Sequence, residues 1–137
     1  MNFDVNVLAV IAAALLGVAF GFLWYGPLFG KVWMKLKGIT KRDMKKAKKD
    51  SMAAPIMVGI LSKIVIAYII ALALNLIPFR SVGIGALVGA IAGIGIVAMI
   101  NLEAALWEKQ NLGLFLLNMG YYVIAIIIIG MVLSVWV

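Results

Sequence analysis

The sequence predicts an all-α integral membrane protein, a single domain over residues 1–137 with four transmembrane helices and a basic amphipathic interfacial helix between helices one and two. The mean hydropathy is +1.20 and 66% of the residues are hydrophobic, so a water-soluble domain of this length would expose much apolar surface. A membrane-spanning helix needs about 20 apolar residues. Four stretches are long enough, and Lys63 is the one charge that interrupts any of them: Val5–Gly30, Ser51–Phe79, Ser81–Leu102 and Gln110–Val137.

The first transmembrane helix is predicted over Val5–Tyr25. Gly17 and Gly21 lie four residues apart on it, a spacing that lets two helix backbones approach closely in a membrane. The helix ends in Trp24-Tyr25-Gly26-Pro27. Aromatic residues are typical of a membrane interface, and a Gly-Pro pair stops or bends a helix.

A basic segment connects the first two transmembrane helices. Phe29 and Trp33 lie one helical turn apart, which indicates a short interfacial element. Thr40-Lys41-Arg42-Asp43 resembles a capping box, so a basic surface helix is predicted over Lys41–Ser51. The residues expected to contact the interface and anionic lipid headgroups are Trp24, Tyr25, Trp33, Lys41, Arg42, Lys45, Lys46, Lys48 and Lys49.

The positive charges predict how the chain is oriented. Nine of the twelve lysine and arginine residues lie in this segment: Lys31, Lys35, Lys37, Lys41, Arg42, Lys45, Lys46, Lys48 and Lys49. Because cytoplasmic loops carry an excess of these residues, we expect a multi-pass protein of the cell membrane with this loop in the cytoplasm and both termini outside. Nucleic acid is not an expected partner, since base-stacking aromatics and a recognisable module are lacking.

The other transmembrane helices are predicted over Ala54–Ile77, Ser81–Ala105 and Leu112–Val135. Pro78 closes helix two because proline cannot donate a backbone hydrogen bond. Trp136 is expected to anchor the end of helix four at an interface.

Helix three carries the clearest packing signal, the repeat Gly85-x-x-x-Gly89-x-x-x-Gly93. In lipid there is no hydrophobic drive between helices, so close contact through small residues takes its place. The repeat predicts a groove in which another helix lies, either from this chain or from a second copy. The alternative interpretation is a glycine-lined permeation path.

Lys63 is the most informative single residue, because a charge at the centre of a spanning helix costs about 2.5–3.5 kcal/mol. One interpretation is an ion pair with Glu103, which lies near the corresponding end of helix three. The others are snorkelling toward the interface or contact with another acceptor, and a lysine that acts in transport.

Several polar residues fall in the same half of the membrane as Lys63. Together they form a predicted polar layer that comprises Lys63, Asn101, Glu103, Asn118, Tyr121 and Tyr122. The purely structural interpretation is hydrogen bonding between helices, which contributes about 0.6 kcal/mol of stability per contact. The same groups would also suit a site for a substrate or an ion.

The sequence predicts no catalytic residues, no metal site and no cofactor. It contains no cysteine and no histidine, so we expect neither thiol chemistry nor most kinds of transition-metal site. The few acidic residues form no obvious pair within the membrane, and no phosphate-binding loop is present. We therefore expect the protein not to be an enzyme.

The segment Trp24-Tyr25-Gly26-Pro27-Leu28-Phe29-Gly30-Lys31-Val32-Trp33-Met34 resembles the signature at the end of helix one in domain-of-unknown-function family 1761. Members are small four-span prokaryotic membrane proteins. The segments Gly38-Ile39-Thr40 and Leu116-Leu117-Asn118-Met119-Gly120-Tyr121-Tyr122 also fit this family. The resemblance implies the architecture and no activity, since the family has none assigned.

Two functions follow from these features. The glycine repeat on helix three favours a non-enzymatic assembly module, either a homo-oligomer or a subunit of a larger membrane complex. The alternative is a small channel or transporter for an ion or small solute that uses the polar layer.

Overall fold

The computed structural model describes residues 4–49 and 53–136, and these residues form helices with no strand among them. The α-helices are α1 (Val7–Leu23), α2 (Gly30–Lys37), α3 (Lys41–Lys49), α4 (Ala53–Asn75), α5 (Val82–Ala92), α6 (Met99–Trp107) and α7 (Leu112–Val135). Two π-helical turns, Trp24–Leu28 and Gly93–Ala98, extend α1 and join α5 to α6.

Four of the resulting helical units are long and apolar enough to cross a membrane, which confirms the predicted fold class. The spans are Val7–Leu28, Ala53–Asn75, Val82–Trp107 and Leu112–Val135. Spans one and three end, and spans two and four begin, at the same end of the bundle. We call it the basic end, because α2 and α3 lie there, and we call the opposite end the terminal end.

The half of the bundle toward the terminal end is tightly packed, and its closest helix pair is α5 with α7. A Cβ atom added to Gly89 would lie 2.7 Å from the carbonyl oxygen of Ile126, and one added to Gly85 would lie 2.6 Å from Ser134 Oγ. Glycine is therefore what lets the two backbones touch. The buried core of this half also draws on α1 and α4 and comprises Ala9, Val10, Ala13, Ala14, Ala67, Ile70, Ala71, Leu74, Ile126, Ile129 and Leu133.

The third span changes from α-helix to π-helix at Gly93–Ala98, between α5 and α6. Residues that face the bundle recur every four positions from Gly85 to Ala105. In a straight α-helix a four-residue repeat drifts by about 40° at each step. The wider π turn offsets part of this drift and keeps α6 facing the bundle.

The first span ends in the other π-helical turn, where Phe29 N–H donates to the carbonyl of Trp24 at 2.8 Å. Pro27, which has no N–H to donate, lies inside this turn, so the Gly-Pro pair widens the helix before Phe29 ends it. A Cβ on Gly30 would lie 2.6 Å from the carbonyl oxygen of Tyr25, so glycine allows α2 to begin at once. The helix α2 then packs against α7.

The predicted capping box begins α3. Asp43 N–H donates to Thr40 Oγ1 at 3.2 Å, and Thr40 N–H donates to Asp43 Oδ2 at 3.0 Å. These hydrogen bonds from Thr40 lower the pKa of the Asp43 carboxyl. The side chains of Lys41, Arg42, Lys45 and Lys46 are exposed, whereas those of Lys48 and Lys49 lie outside the described part of the structure, as do residues 50–52.

Candidate ligand cavity

The half of the bundle toward the basic end contains a cavity of about 900 Å³. It lies between α4 and α6, with α1, α2 and α7 completing its wall. Its lining residues are Val18, Gly21, Phe22, Tyr25, Gly26, Trp33, Lys37, Ile56, Gly59, Lys63, Asn101, Ala104, Ala105, Glu108, Gln110, Phe115, Asn118, Met119, Tyr121 and Tyr122. The buried core of this half is smaller than that of the terminal half and comprises Ala105, Phe115 and Met119.

Lys63 is buried in the wall of this cavity, with 6% of its surface exposed. Its ammonium nitrogen lies 5.1 Å from the ring centroid of Tyr121 and 5.3 Å from that of Tyr122. A cation–π contact stabilises a desolvated ammonium by about 2 kcal/mol, so the two rings offset a large part of the insertion cost. Of the interpretations open for Lys63, the structure favours contact with another acceptor, here two tyrosine rings.

Tyr121 is held in place by the first span. Its hydroxyl donates to the carbonyl of Gly17 at 3.3 Å, and its ring stacks on Phe20 with centroids 5.9 Å apart. A Cβ on Gly21 would lie 2.8 Å from the Tyr121 hydroxyl oxygen. The predicted packing role of Gly17 and Gly21 is therefore to seat this tyrosine next to Lys63.

The end of the first span contacts the start of α7 through polar and aromatic groups. Trp24 Nε1–H donates to the carbonyl of Leu117 at 3.2 Å, and the Tyr25 hydroxyl donates to Asn118 Oδ1 at 2.6 Å. A Cβ on Gly120 would lie 3.2 Å from Trp24 Cζ2, so glycine makes room for the indole. These contacts fix one wall of the cavity.

The family model described as "Protein of unknown function (DUF1761)" matches residues 8–134. The chain belongs to the DUF1761 family. Comparisons with curated proteins and with solved structures give no match. In this DUF1761 chain, two of the three segments that carry the resemblance, residues 24–34 and 116–122, pack against each other beside the cavity.

The predicted polar layer of the DUF1761 chain is brought together with one exception. Lys63, Asn101, Asn118, Tyr121 and Tyr122 all line the cavity, whereas Glu103 is exposed and is not part of its wall. Helical phase explains the exception. Residues of an α-helix are about 100° apart, so Glu103 lies about 200° around α6 from Asn101.

Glu108, and not Glu103, shares the cavity face with Asn101, because it lies seven residues after Asn101 and returns to the same face of the helix. It is at the basic end of the cavity, close to Gln110 in the connection to α7. Asn101 itself donates to the carbonyl of Val97 at 2.8 Å, a bond within its own helix.

Two aromatic residues with polar groups, Tyr25 and Trp33, line the cavity but lie outside the polar layer that the sequence predicts. Tyr25 and Trp33 were expected at the membrane interface, yet both are half-buried and line the cavity. Trp33 and Lys37 project from α2 at the basic end, where the Lys37 ammonium lies 5.1 Å from the Trp33 ring centroid. The spacing of Ile56, Gly59 and Lys63 on one face of α4 is the pattern that could have located this wall.

No cluster of three or more potential metal ligands occurs among the residues that the structure of this DUF1761 chain describes. A second cavity, of about 280 Å³, lies at the terminal end. There Asn75 Nδ2 donates to the carbonyl of Asp4 at 2.7 Å, and Asn75 Oδ1 accepts a hydrogen bond from the Arg80 guanidinium. Its small volume and internal hydrogen bonding indicate a structural contact between helix ends.

Proposed function

We propose that this DUF1761 chain is a small membrane transporter that binds a solute in the cavity at its basic end, and that it is not an enzyme. The main observation in support of this proposal is a cavity of about 900 Å³ whose wall contains the buried Lys63. Ligand sites have volumes of about 300–1,000 Å³ and combine apolar walls with a few converging polar groups. Intramembrane charges that face a cavity commonly belong to such sites.

The closed terminal half supports a carrier over an open channel. The Gly89 backbone contacts that of α7, and Leu74 and Ile129 are fully buried between the helices. A solute that enters from the basic end would meet this barrier, so its passage requires the helices to rearrange. Transporters that bind near the bilayer midplane work by such alternating access.

Native mass spectrometry of the protein extracted gently from its own membrane tests whether a small molecule is bound. Gly59 lines the cavity, and a Cβ atom there would meet nothing within 4 Å. The substitution Gly59→Leu therefore fills the cavity without a clash at the leucine Cβ atom. Gly95 is equally open but exposed outside the cavity, which makes Gly95→Leu the matched control.

We expect the unmodified protein and Gly95→Leu to retain the same small molecule, and Gly59→Leu to lose it. Equal occupancy in Gly59→Leu, or no bound molecule in the unmodified protein, counts against the proposal. Uptake into proteoliposomes of the molecule identified in this way would then separate transport from binding alone.

Assembly into a homo-oligomer or a larger complex stays a prediction. The glycine repeat of helix three is the sequence feature that favours assembly, but α7 of the same chain covers that repeat. An oligomer would therefore need another face of the bundle. The same native spectra report the number of copies, and a defined oligomer with an unchanged occupancy in Gly59→Leu would restore the assembly module as the better account.

The basic end is proposed to face the cytoplasm, with α3 against anionic lipid headgroups. Support comes from the exposed side chains of Lys41, Arg42, Lys45 and Lys46. Because the chain has no cysteine, a single introduced thiol reports on one site. In intact cells a membrane-impermeant maleimide should label Phe79→Cys, and should label Gln110→Cys only after permeabilisation; the reverse pattern would invert the orientation.

A further inference from the structure

We infer that the ligand of this cavity carries an anionic group, a carboxylate or a phosphate, and that the ammonium of Lys63 binds it. This inference rests on the proposed solute site and names the chemistry of its ligand. The same anionic group occurs on free solutes and on lipids, so the source of the ligand is a separate question that the experiment below also answers.

Lys63 is a buried cation that reaches the cavity. Its surface is 6% exposed, and its ammonium lies over the rings of Tyr121 and Tyr122, which are both on α7. The rings contact the cation from the α7 side, and Lys63 also forms part of the cavity wall. An ammonium group has three donors and no acceptor, and a ring face satisfies them less well than an oxygen anion does.

The charges around the cavity are arranged for an anion. Glu108 is the one carboxylate among the described lining residues, and it lies just after the end of α6 at the basic end. The Cα atom of Lys63 lies ten residues into α4, or roughly 15 Å from that end at 1.5 Å per residue. The deep part of the cavity therefore has positive charge with no nearby carboxylate, while Lys37 balances Glu108 near its mouth.

Asn118 adds a neutral donor to the same region. Its Oδ1 accepts the Tyr25 hydroxyl hydrogen at 2.6 Å, so the amide hydrogens on its Nδ2 are the part left to donate. Asn118 and Tyr122 are four residues apart on α7, so both lie on the face that lines the cavity with Lys63. An ammonium group and an amide N–H together suit a carboxylate or phosphate oxygen.

The rest of the cavity is suited to an apolar body attached to this anionic group. Phe22, Ile56, Phe115 and Met119 supply apolar surface. Among the described residues α4 packs closely against α1, α5 and α7, and the cavity separates it from α6. Phe22 is 62% exposed and Ile56 is 37% exposed, so this side of the cavity borders the surrounding lipid.

Calorimetric titration of the full chain in nanodiscs of zwitterionic phosphatidylcholine tests the inference. The probes are laurate as an amphiphilic carboxylate, benzoate and inorganic phosphate as free anions, and dodecanol as the neutral analogue of laurate. The variants are Lys63→Met, which removes the charge, and Lys63→Arg, which keeps it. Lys109→Met removes a charge at the basic end outside the cavity wall and serves as the control.

At least one anionic probe should bind the unmodified protein more tightly than dodecanol does. Lys63→Met should weaken that binding by about tenfold or more, the usual effect of losing a hydrogen bond to a charged group. Lys63→Arg and Lys109→Met should largely keep it. Binding of laurate alone identifies an amphiphile as the source, and binding of benzoate or phosphate identifies a free solute. If Lys63→Met does not fold, Lys63→Gln replaces it.

Failure of this inference is distinguishable from failure of the proposed site. If Gly59→Leu abolishes binding of all probes while Lys63→Met changes none, the cavity is a binding site and the anionic preference is wrong. If neither variant alters any binding, both proposals fail. If no anionic probe binds more tightly than dodecanol, the inference is overturned.

Discussion

The two halves of the bundle place different residue types toward its axis, and this difference decides which half closes. Toward the terminal end the facing residues are glycine and alanine on α5 and α1, which meet leucine and isoleucine on α4 and α7. Toward the basic end they include tyrosine, tryptophan, asparagine and the buried Lys63. Small residues let backbones touch, whereas the aromatic side chains of the open half stack between the first span and α7 and line the cavity.

The π-helical turns mark where the packing changes. Gly93–Ala98 lies between the glycine face of α5 and the cavity face of α6, and Trp24–Leu28 ends the first span beside α7. Such turns often occur at functional sites, because the extra residue changes which side chains face inward. In the proposed function the tight half is the scaffold, and the open half is where the solute binds.

The largest expected effect is that of Gly89→Ala in the tight half. The added Cβ would lie 2.7 Å from both Ile126 O and Ile127 Cα, so α5 and α7 must move apart. Overpacking of this kind lowers the free energy of unfolding by about 1–3 kcal/mol. Unfolding of the purified protein by denaturant measures the loss, and Gly95→Ala, whose Cβ meets nothing within 4 Å, is the control. An equal loss in both variants would break the comparison.

A smaller loss is expected for Trp24→Phe, which removes the hydrogen bond to the Leu117 carbonyl and keeps an aromatic ring. A hydrogen bond of this type contributes about 1 kcal/mol to stability. Trp107→Phe is the control, because Trp107 is 82% exposed and lies outside the cavity wall. Thermal unfolding followed by circular dichroism compares the two variants. If they unfold alike, the contact between the first span and α7 does not fix the cavity wall.

Lys63→Met should change the free energy of unfolding by less than about 1 kcal/mol, because it removes two cation–π contacts and the cost of inserting a charge together. Replacing a buried charge with an apolar side chain of similar size is often neutral. Denaturant unfolding again provides the measurement. A loss as large as that of Gly89→Ala would make Lys63 a structural residue and remove the main support for a ligand site.

The smallest effect is expected for Gly59→Ala, which is the same chemical change as Gly89→Ala made in the open half. Its Cβ would enter the cavity with no atom within 4 Å. Alanine has the higher helix propensity, so stability should stay the same or rise by up to about 1 kcal/mol. A clear loss of stability on denaturant unfolding would mean that this part of the cavity is filled by protein.

The four spans are predictable from sequence because length and hydropathy alone define them. The predicted ends of the spans agree with the structure to within three residues, and the fourth, Leu112–Val135, is the same in both. The glycine repeat of helix three likewise predicts close packing, but small residues show only that a helix approaches. They do not show which one, and here the partner is α7 of the same chain.

The cavity is harder to predict, because a cavity is volume that no side chain fills and no residue type encodes it. Tyr25 was expected at the interface because composition rules give the depth of a residue in the membrane and not the direction it faces. Glu103 lies at nearly the same depth as Asn101, but helical phase puts the two side chains on different faces of α6. Helical phase alone selects Glu108, which shares the Asn101 face but lies at the basic end, away from Lys63.

The central claim is that the open half admits water and solutes while the helix surface beside it faces lipid. Thiol labelling of two single-cysteine variants tests it directly. Gly59 lines the cavity, whereas its neighbour Val58 is 62% exposed at the same depth but outside the cavity. Only the thiolate reacts with maleimide, and an apolar environment disfavours it.

In membrane vesicles whose basic end is accessible, a water-soluble maleimide should label Gly59→Cys much faster than Val58→Cys. The small solute retained by the protein should slow the labelling of Gly59→Cys and leave that of Val58→Cys unchanged. Equal rates for the two thiols, or a slow rate for both, would contradict a cavity open to the basic end and with it the proposed function.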